Sequence, residues 1–297
     1  MKILICSDGS AQAENAVSFG GLVAGGCSSE VHLLGTAEKQ GEEAVLLGAL
    51  KRNQKNLQDR GVPATLIQRT GEPTSEILKQ TQETHYDLVV IGAVRKARVG
   101  AFWMSAKAYK LIKSVQQPVL AVIGHRNSIK RILICSGGRP YIEKGVEMAS
   151  CVAKGLGSTA TIVHVMPEVP AMYSEIAARQ DDVDALLNSS SNLAQNLRRE
   201  KELLEKAGVQ TTVKVRLGEV IRELLTEIRT GNYDLVVTGS SITHGRFSTY
   251  VMGDVTREIV NHSDCPVLVT RSEMPARQDI LSGLLSRFRT GSRKPKT

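Results

Sequence analysis

The sequence predicts an α/β fold in which one parallel-sheet unit occurs twice along the chain. First, three blocks recur in the same order. Ile3-Leu4-Ile5-Cys6 returns as Ile132-Leu133-Ile134-Cys135, Tyr86-Asp87-Leu88-Val89-Val90 as Tyr233-Asp234-Leu235-Val236-Val237, and Pro118-Val119-Leu120 as Pro266-Val267-Leu268. Second, short apolar runs alternate with stretches of helical periodicity, the pattern of parallel strands joined by right-handed crossovers. Third, the apolar runs lack in–out alternation, as expected of strands covered by helices on both faces.

The chain of 297 residues has room for two domains, each burying its own core. The repeat places them at 1–125 and 130–272, divided at His125-Arg126-Asn127-Ser128, with a basic tail over 273–297. In the first copy a strand at 3–6 runs into the turn Ser7-Asp8-Gly9-Ser10. The helix that follows carries Ala13, Ala16, Val17, Gly20, Val23 and Ala24 at spacings of three and four. A strand around 31–34 leads to a helix over 42–59 that Gly61 closes. A strand at 64–69 precedes Gly71-Glu72-Pro73 and a helix over 74–84, with proline at its start. A strand at 87–91, a long loop, a helix over 104–115 and a strand at 118–123 complete the unit.

The second copy follows at an offset of 129 through two strands and 147 from Gly208 to Gly239. The 18 extra residues fall between Met166 and Glu200. They lie past the carboxyl end of the second strand, on the rim where open parallel sheets bind ligands. They either form a lid or lengthen the second helix; the longer helix is the expectation.

Charge and cysteine usage exclude several classes. The net charge is +8, but residues 277–297 hold six basic residues against Asp279, a local +5. A basic groove across the folded body is therefore not expected, and neither is a nucleic-acid partner. No run of 18 apolar residues spans a membrane, and Asp8 arrives too early for a secretory leader. Five cysteines without metal-like or CxxC spacing argue against a disulfide framework and against zinc. Cys6 and Cys135 read as small buried thiols, and a reducing cytoplasm fits.

Chemistry is expected at the turns after the first and fourth strands, which meet where the strand order reverses. Copy one places Asp8 there, a carboxylate suited to a ribose or an adenine amine or to shaping its own turn, and Ser10 to cap the helix. Copy two has Gly137 instead of the carboxylate. After its fourth strand copy two reads Gly239-Ser240-Ser241-Ile242-Thr243-His244-Gly245, then Met252-Gly253-Asp254 opening a helix. Glycines let backbone amides approach a phosphate, and the helix start adds donors. Asp254 acts more naturally there as a helix-terminal charge. Copy one reads Gly92-Ala93-Val94-Arg95-Lys96-Ala97-Arg98, with Ser105 where Gly253 stands. Its residues 92–124 carry six basic side chains and no acidic one: an anion-holding stretch or a solvated face.

These blocks together resemble the universal stress protein family in tandem form, over residues 1–124 and 130–271. The resemblance implies two flavodoxin/Rossmann-like domains, each a five-stranded parallel sheet of order 3-2-1-4-5 flanked by helices. It implies that the fifth strands, 119–123 and 267–270, meet inside the chain as a pseudo-dimer, with a homodimer beyond that left open. It also implies adenine nucleotides (ATP, ADP or AMP) as ligands. Asp8 matches the family's adenosine carboxylate, Gly92 the first loop glycine of copy one, and Gly239 and Gly253 the first and third of copy two. Copy one lacks the other two glycines. Copy two displaces its middle glycine to Gly245 and ends in Gly-Asp.

The resulting expectation is a cytoplasmic regulatory module with degenerate sites that bind nucleotide weakly or not at all, together with a protein partner. The alternative is genuine ATP, ADP or AMP binding by one domain. A further alternative is ATP cleavage, because Ser136-Gly137-Gly138 is similar to the loop of ATP pyrophosphatases, although Pro140 and Tyr141 replace its Asp and Ser. No catalytic residue and no metal site are expected, and His244 and His262 read as surface or loop residues. The tail sets Ile280, Leu281, Leu284, Leu285 and Phe288 on one helical face: a docked helix, a membrane-surface helix or a loosely ordered end.

Overall fold

The computed structural model describes residues 1–93, 95–98, 101–138, 142–166, 183–242, 250–251 and 253–272. The first half comprises β1 (Lys2–Ser7), α1 (Ala11–Gly26), β2 (Glu30–Ala37), α2 (Glu43–Asp59), β3 (Ala64–Thr70), α3 (Pro73–Glu83) and β4 (Leu88–Gly92). It continues with β5 (Arg95–Arg98), β6 (Ala101–Met104), α4 (Ala106–Ser114) and β7 (Val119–Val122). The second half repeats the plan: β8 (Arg131–Cys135), α5 (Glu143–Leu156), β9 (Thr159–Met166), α6 (Val183–Asn188), α7 (Asn192–Lys206) and β10 (Thr211–Leu217). It closes with α8 (Val220–Thr230), β11 (Leu235–Ile242), β12 (Tyr250–Val251), α9 (Asp254–His262) and β13 (Val267–Ser272).

Each half has the expected strand order, β3-β2-β1-β4-β7 and β10-β9-β8-β11-β13, parallel throughout. β7 and β13 then pair antiparallel, with Val267 opposite Ala121, Leu268 opposite Leu120 and Val269 opposite Val119. The internal pseudo-dimer is thus a single continuous sheet, with β12 added beside β11. What was read as one long loop in copy one contains the antiparallel β5–β6 pair.

The recurring Tyr-Asp block has a structural explanation. Asp87 accepts a bond from the Lys2 backbone amide at 2.7 Å, and Asp234 from those of Lys130 and Arg131 at 2.8 and 3.0 Å. Each aspartate satisfies amides where a first strand begins. The Tyr86 hydroxyl accepts from Gln80 on α3 at 2.9 Å, and that of Tyr233 donates to Glu227 on α8 at 2.6 Å, pinning each helix to the sheet.

Three expectations are corrected. The copies do not bury separate cores: each of two apolar clusters covers one face of the continuous sheet and draws on both halves, Ile3 with Ile132 on one side and Leu4 with Leu133 on the other. Joining β7 to β13 merges the faces, so burial divides by side of the sheet. The second helix is not lengthened, since α7 has 15 residues against 17 in α2. The serine run stops it: Ser191 caps α7 by accepting from the Ala194 amide, and Arg198 donates to the carbonyl oxygens of Leu187 and Ser189, closing off α6 as a separate turn. Residues 167–182 of the extra segment, like the tail, lie outside the described residues. Finally, Cys27 and Cys151 are joined in a disulfide, against the cysteine-spacing argument. They lie 124 residues apart, so no local spacing signals the pairing. It forms because α1 and α5 cross at Gly26 and Gly155, equivalent positions of the two copies. A Cβ on Gly155 would sit 1.8 Å from the Gly26 carbonyl oxygen, so the crossing requires glycine.

Candidate functional site

A cavity of about 350 Å³ opens at the carboxyl ends of β8, β9 and β11 in the second half. This is the point where strand order reverses, and the size suits a small ligand. Ile142, Val220, Leu224 and Val255 supply apolar walls from the surrounding helices and turns. Cys135, Ser136, Gly137, His164, Thr238, Gly239, Ser240 and Thr256 line the strand ends. No charged side chain is among these residues.

The polar wall is fixed by neighbours on every side. Thr256 donates to the Gly239 carbonyl at 2.7 Å, and Ser240 donates to that of Thr270 at 3.0 Å. Behind Ser240 lies the buried guanidinium of Arg271, donating to its hydroxyl at 2.8 Å. The same guanidinium donates to the carbonyl oxygens of Ile112, Val115 and Gln117 in the first half, the first two at the closing turn of α4. A cation there complements the helix's negative end. It also sets positive charge one side chain behind the cavity wall.

The floor of the site holds a buried network. Ser136 donates to Glu200 at 2.8 Å and accepts from the Gly138 amide at 3.1 Å. The Nδ1 of His164 bonds the Ser136 carbonyl oxygen at 2.9 Å, which places the hydrogen on that nitrogen. Glu200 is only 2% exposed, and its Oε2 has no partner among the described residues. Burial pushes its carboxyl up to about 7, against the lowering effect of the Ser136 bond and with added repulsion from Glu143. Burial also pushes the Cys135 thiol up to about 12 and raises that of Cys6, so both are inert thiols as expected.

The sequence-predicted residues divide between the halves. Gly239 lines the cavity wall. Gly253 caps α9 with no side-chain bond to the helix's first amides, and a Cβ there would meet nothing within 4 Å. Asp254 follows it, exposed and paired with Arg257 at 2.9 Å, the helix-terminal charge expected of it. Gly245 lies outside the described residues, as do His244, Pro140 and Tyr141. His262 ends α9 and pairs with Glu258 at 3.2 Å.

In the first half Asp8 is exposed, and its carboxylate accepts from the Ser10 amide at 3.0 Å, shaping its own turn. Ser10 caps α1 by accepting from the Ala13 amide. Ser105 caps α4 by accepting from the Ala108 amide at 3.3 Å, occupying a donor that the Gly253 position leaves open. Gly92 lies under Gln12, whose backbone oxygen is 3.2 Å from where a Cβ would stand. The Gln12 side chain donates to the carbonyl oxygens of Ala93 and Val122 at 3.4 and 3.3 Å. Lys107 stands where copy two has Val255, and it pairs with Glu38 at 2.5 Å. That bond raises the Lys107 pKa, with Glu72 and Asp8 adding to the effect. Of the basic stretch, Lys107 is therefore committed to an acidic rim.

Sequence reasoning missed Glu200, His164 and Arg271. One signal was present for Glu200: it falls on the buried stripe Ala194-Leu197-Glu200-Leu204 of α7, where a carboxylate is out of place. Its counterpart in copy one, Asn53, is also buried on the inner face of its helix.

Two five-stranded parallel units sharing one sheet, with a ligand-sized crevice at a switch point, define a tandem α/β protein of flavodoxin-like strand order. The chain belongs to the universal stress protein family, which matches residues 1–122 and again 128–271. A universal stress protein of Synechocystis sp. is 21% identical over 278 residues, 91% of this chain and 89% of that protein. Among solved structures, a putative universal stress protein from Pseudomonas aeruginosa UCBPP-PA14 is similar with a TM-score of 0.69, 16% identity and 96% of each chain covered. One from Archaeoglobus fulgidus DSM 4304 gives 0.65 and 17%, covering 91% of this chain and 98% of that one. At such identities the two structures speak to the fold alone.

Proposed function

We propose that this universal stress protein is a non-catalytic regulatory module with one working ligand cavity, in the second half, and that the ligand is an adenine nucleotide. The observation that carries the reading is the contrast between the halves. The second has an open crevice leading to an uncapped helix start, whereas in the first Gln12, Ser105 and the Lys107–Glu38 pair occupy the corresponding groups. Apolar walls suit a base. The open first turn of α9 and the Arg271 charge behind Ser240 suit a phosphate. Gly137 and Asp254 count the other way, by removing one carboxylate and adding another, and they support weak binding.

The non-catalytic part of the proposal is supported by His164, which reaches the Ser136 carbonyl oxygen rather than its hydroxyl, so no serine–histidine pair forms there. Thermal melts with ATP, ADP and AMP test the binding. Ligand at 100 times its dissociation constant stabilises by about 2.7 kcal/mol. Incubation with ATP should release neither phosphate nor pyrophosphate, and steady release of either would return the cleavage reading.

A further inference from the structure

We propose that Cys27 and Cys151 form a reversible redox clasp that fastens the two halves of the sheet at their pseudo-two-fold crossing. Three observations carry it. The first is placement: the pair links the end of α1 to the middle of α5, with Cα atoms 5.5 Å apart, inside the range a disulfide needs. The second is selectivity. Cys6, Cys135 and Cys265 are buried, whereas Cys27 and Cys151 are both partly exposed. The third is asymmetry. The offset of 129 that superposes the copies maps Cys27 onto Leu156 and Cys151 onto Leu22. The same crossing therefore carries two leucines on one side of the axis and two cysteines on the other. Packing alone is satisfied by leucine, so the thiols add chemistry that the fold does not require.

The reaction is thiol–disulfide exchange with a small-molecule disulfide. One protein thiolate attacks a sulfur of the small disulfide and releases one small thiol. The second protein thiolate then displaces the other small thiol and forms the Cys27–Cys151 bond. The small disulfide is reduced as the protein pair is oxidised, and a small dithiol runs the exchange in reverse. Closing the bond ties a 124-residue loop, which constrains the unfolded chain and raises the stability of the oxidised form.

The test uses the full chain equilibrated with oxidised glutathione or with dithiothreitol. Native alkylation followed by peptide mapping should label Cys27 and Cys151 in the reduced protein and neither in the oxidised one. The oxidised protein should also melt about 5 °C or more above the reduced one. Cys27→Ser and Cys151→Ser should each abolish that difference while melting like the reduced parent. The proposal is overturned if both cysteines still alkylate after oxidation, if the bond forms between chains, or if the melting difference survives in Cys27→Ser. The labelling arm needs no variant, so it decides the matter even if a serine substitution perturbs folding.

Discussion

The two rims of the sheet began as one sequence and now differ in kind. In the first half, charge and amide side chains close the strand ends: Lys107 meets Glu38, and Gln12 spans Ala93 and Val122. In the second half, hydroxyls and apolar walls leave about 350 Å³ open. At corresponding positions Ile91, Ala93 and Ala108 face Thr238, Ser240 and Thr256, while Lys107 faces Val255. Duplication kept the strands, whose burial tolerates little change, and let the loops and helix starts diverge. On the reading proposed above, a doubled scaffold needs only one cavity.

The largest predicted effect breaks the support of the second rim. Arg271 has Ile123 as its counterpart in copy one, so among the described residues only the second half sends a buried cation across the junction. Arg271→Met should cost about 3 kcal/mol in urea unfolding, because it removes the donor to the Ile112, Val115 and Gln117 carbonyl oxygens. A loss below about 1 kcal/mol would show that the junction does not depend on it.

A second effect sharpens the contrast through pH. Burial raises Glu200 from 4.5 to about 7. The folded state therefore holds this proton more tightly than the unfolded one, and the associated stability is fully present below pH 4.5 and lost as pH rises through about 7. Glu200→Gln stays neutral. It should match the parent near pH 5 and exceed it at pH 8 by about 1–3 kcal/mol, measured by denaturant titration at both values. A pH-independent gap would contradict the assignment. Copy one, with Asn53 in this place, offers the control: Asn53→Ala should show no such pH dependence.

The smallest effect falls on the residue most prominent in the sequence. Asp8 is exposed and bonded to its own turn. Asp8→Ala should cost about 1 kcal/mol or less in the melt, as the loss of a local turn bond does.

How much of this was legible follows from range. The strand order and the internal pairing of 119–123 with 267–270 came through the family resemblance, whereas the duplication, the strand–helix alternation and the turn-shaping role open to Asp8 were readable directly, because repeats and turns are local patterns. Asp254 as a helix-terminal charge was readable for the same reason. The Cys27–Cys151 pair, the Arg271 crossing and the Glu38 partner of Lys107 were not, since each joins segments that only the folded sheet brings together. The longer second helix failed on a local detail, the capping power of Ser191 within a serine run. Glu200 stood between these cases, visible as a misfit on an apolar stripe but mute about Ser136.

The most direct test of the single-cavity account is a set of nucleotide melts on three proteins: the parent, Asp8→Ala and Thr238→Leu. The account predicts a stabilising shift with at least one of ATP, ADP and AMP in the parent, retained in Asp8→Ala and lost in Thr238→Leu, whose side chain fills the second cavity. A shift that Asp8→Ala abolishes and Thr238→Leu keeps would place the site in the first half. No shift with any of the three nucleotides would contradict the adenine-nucleotide reading itself.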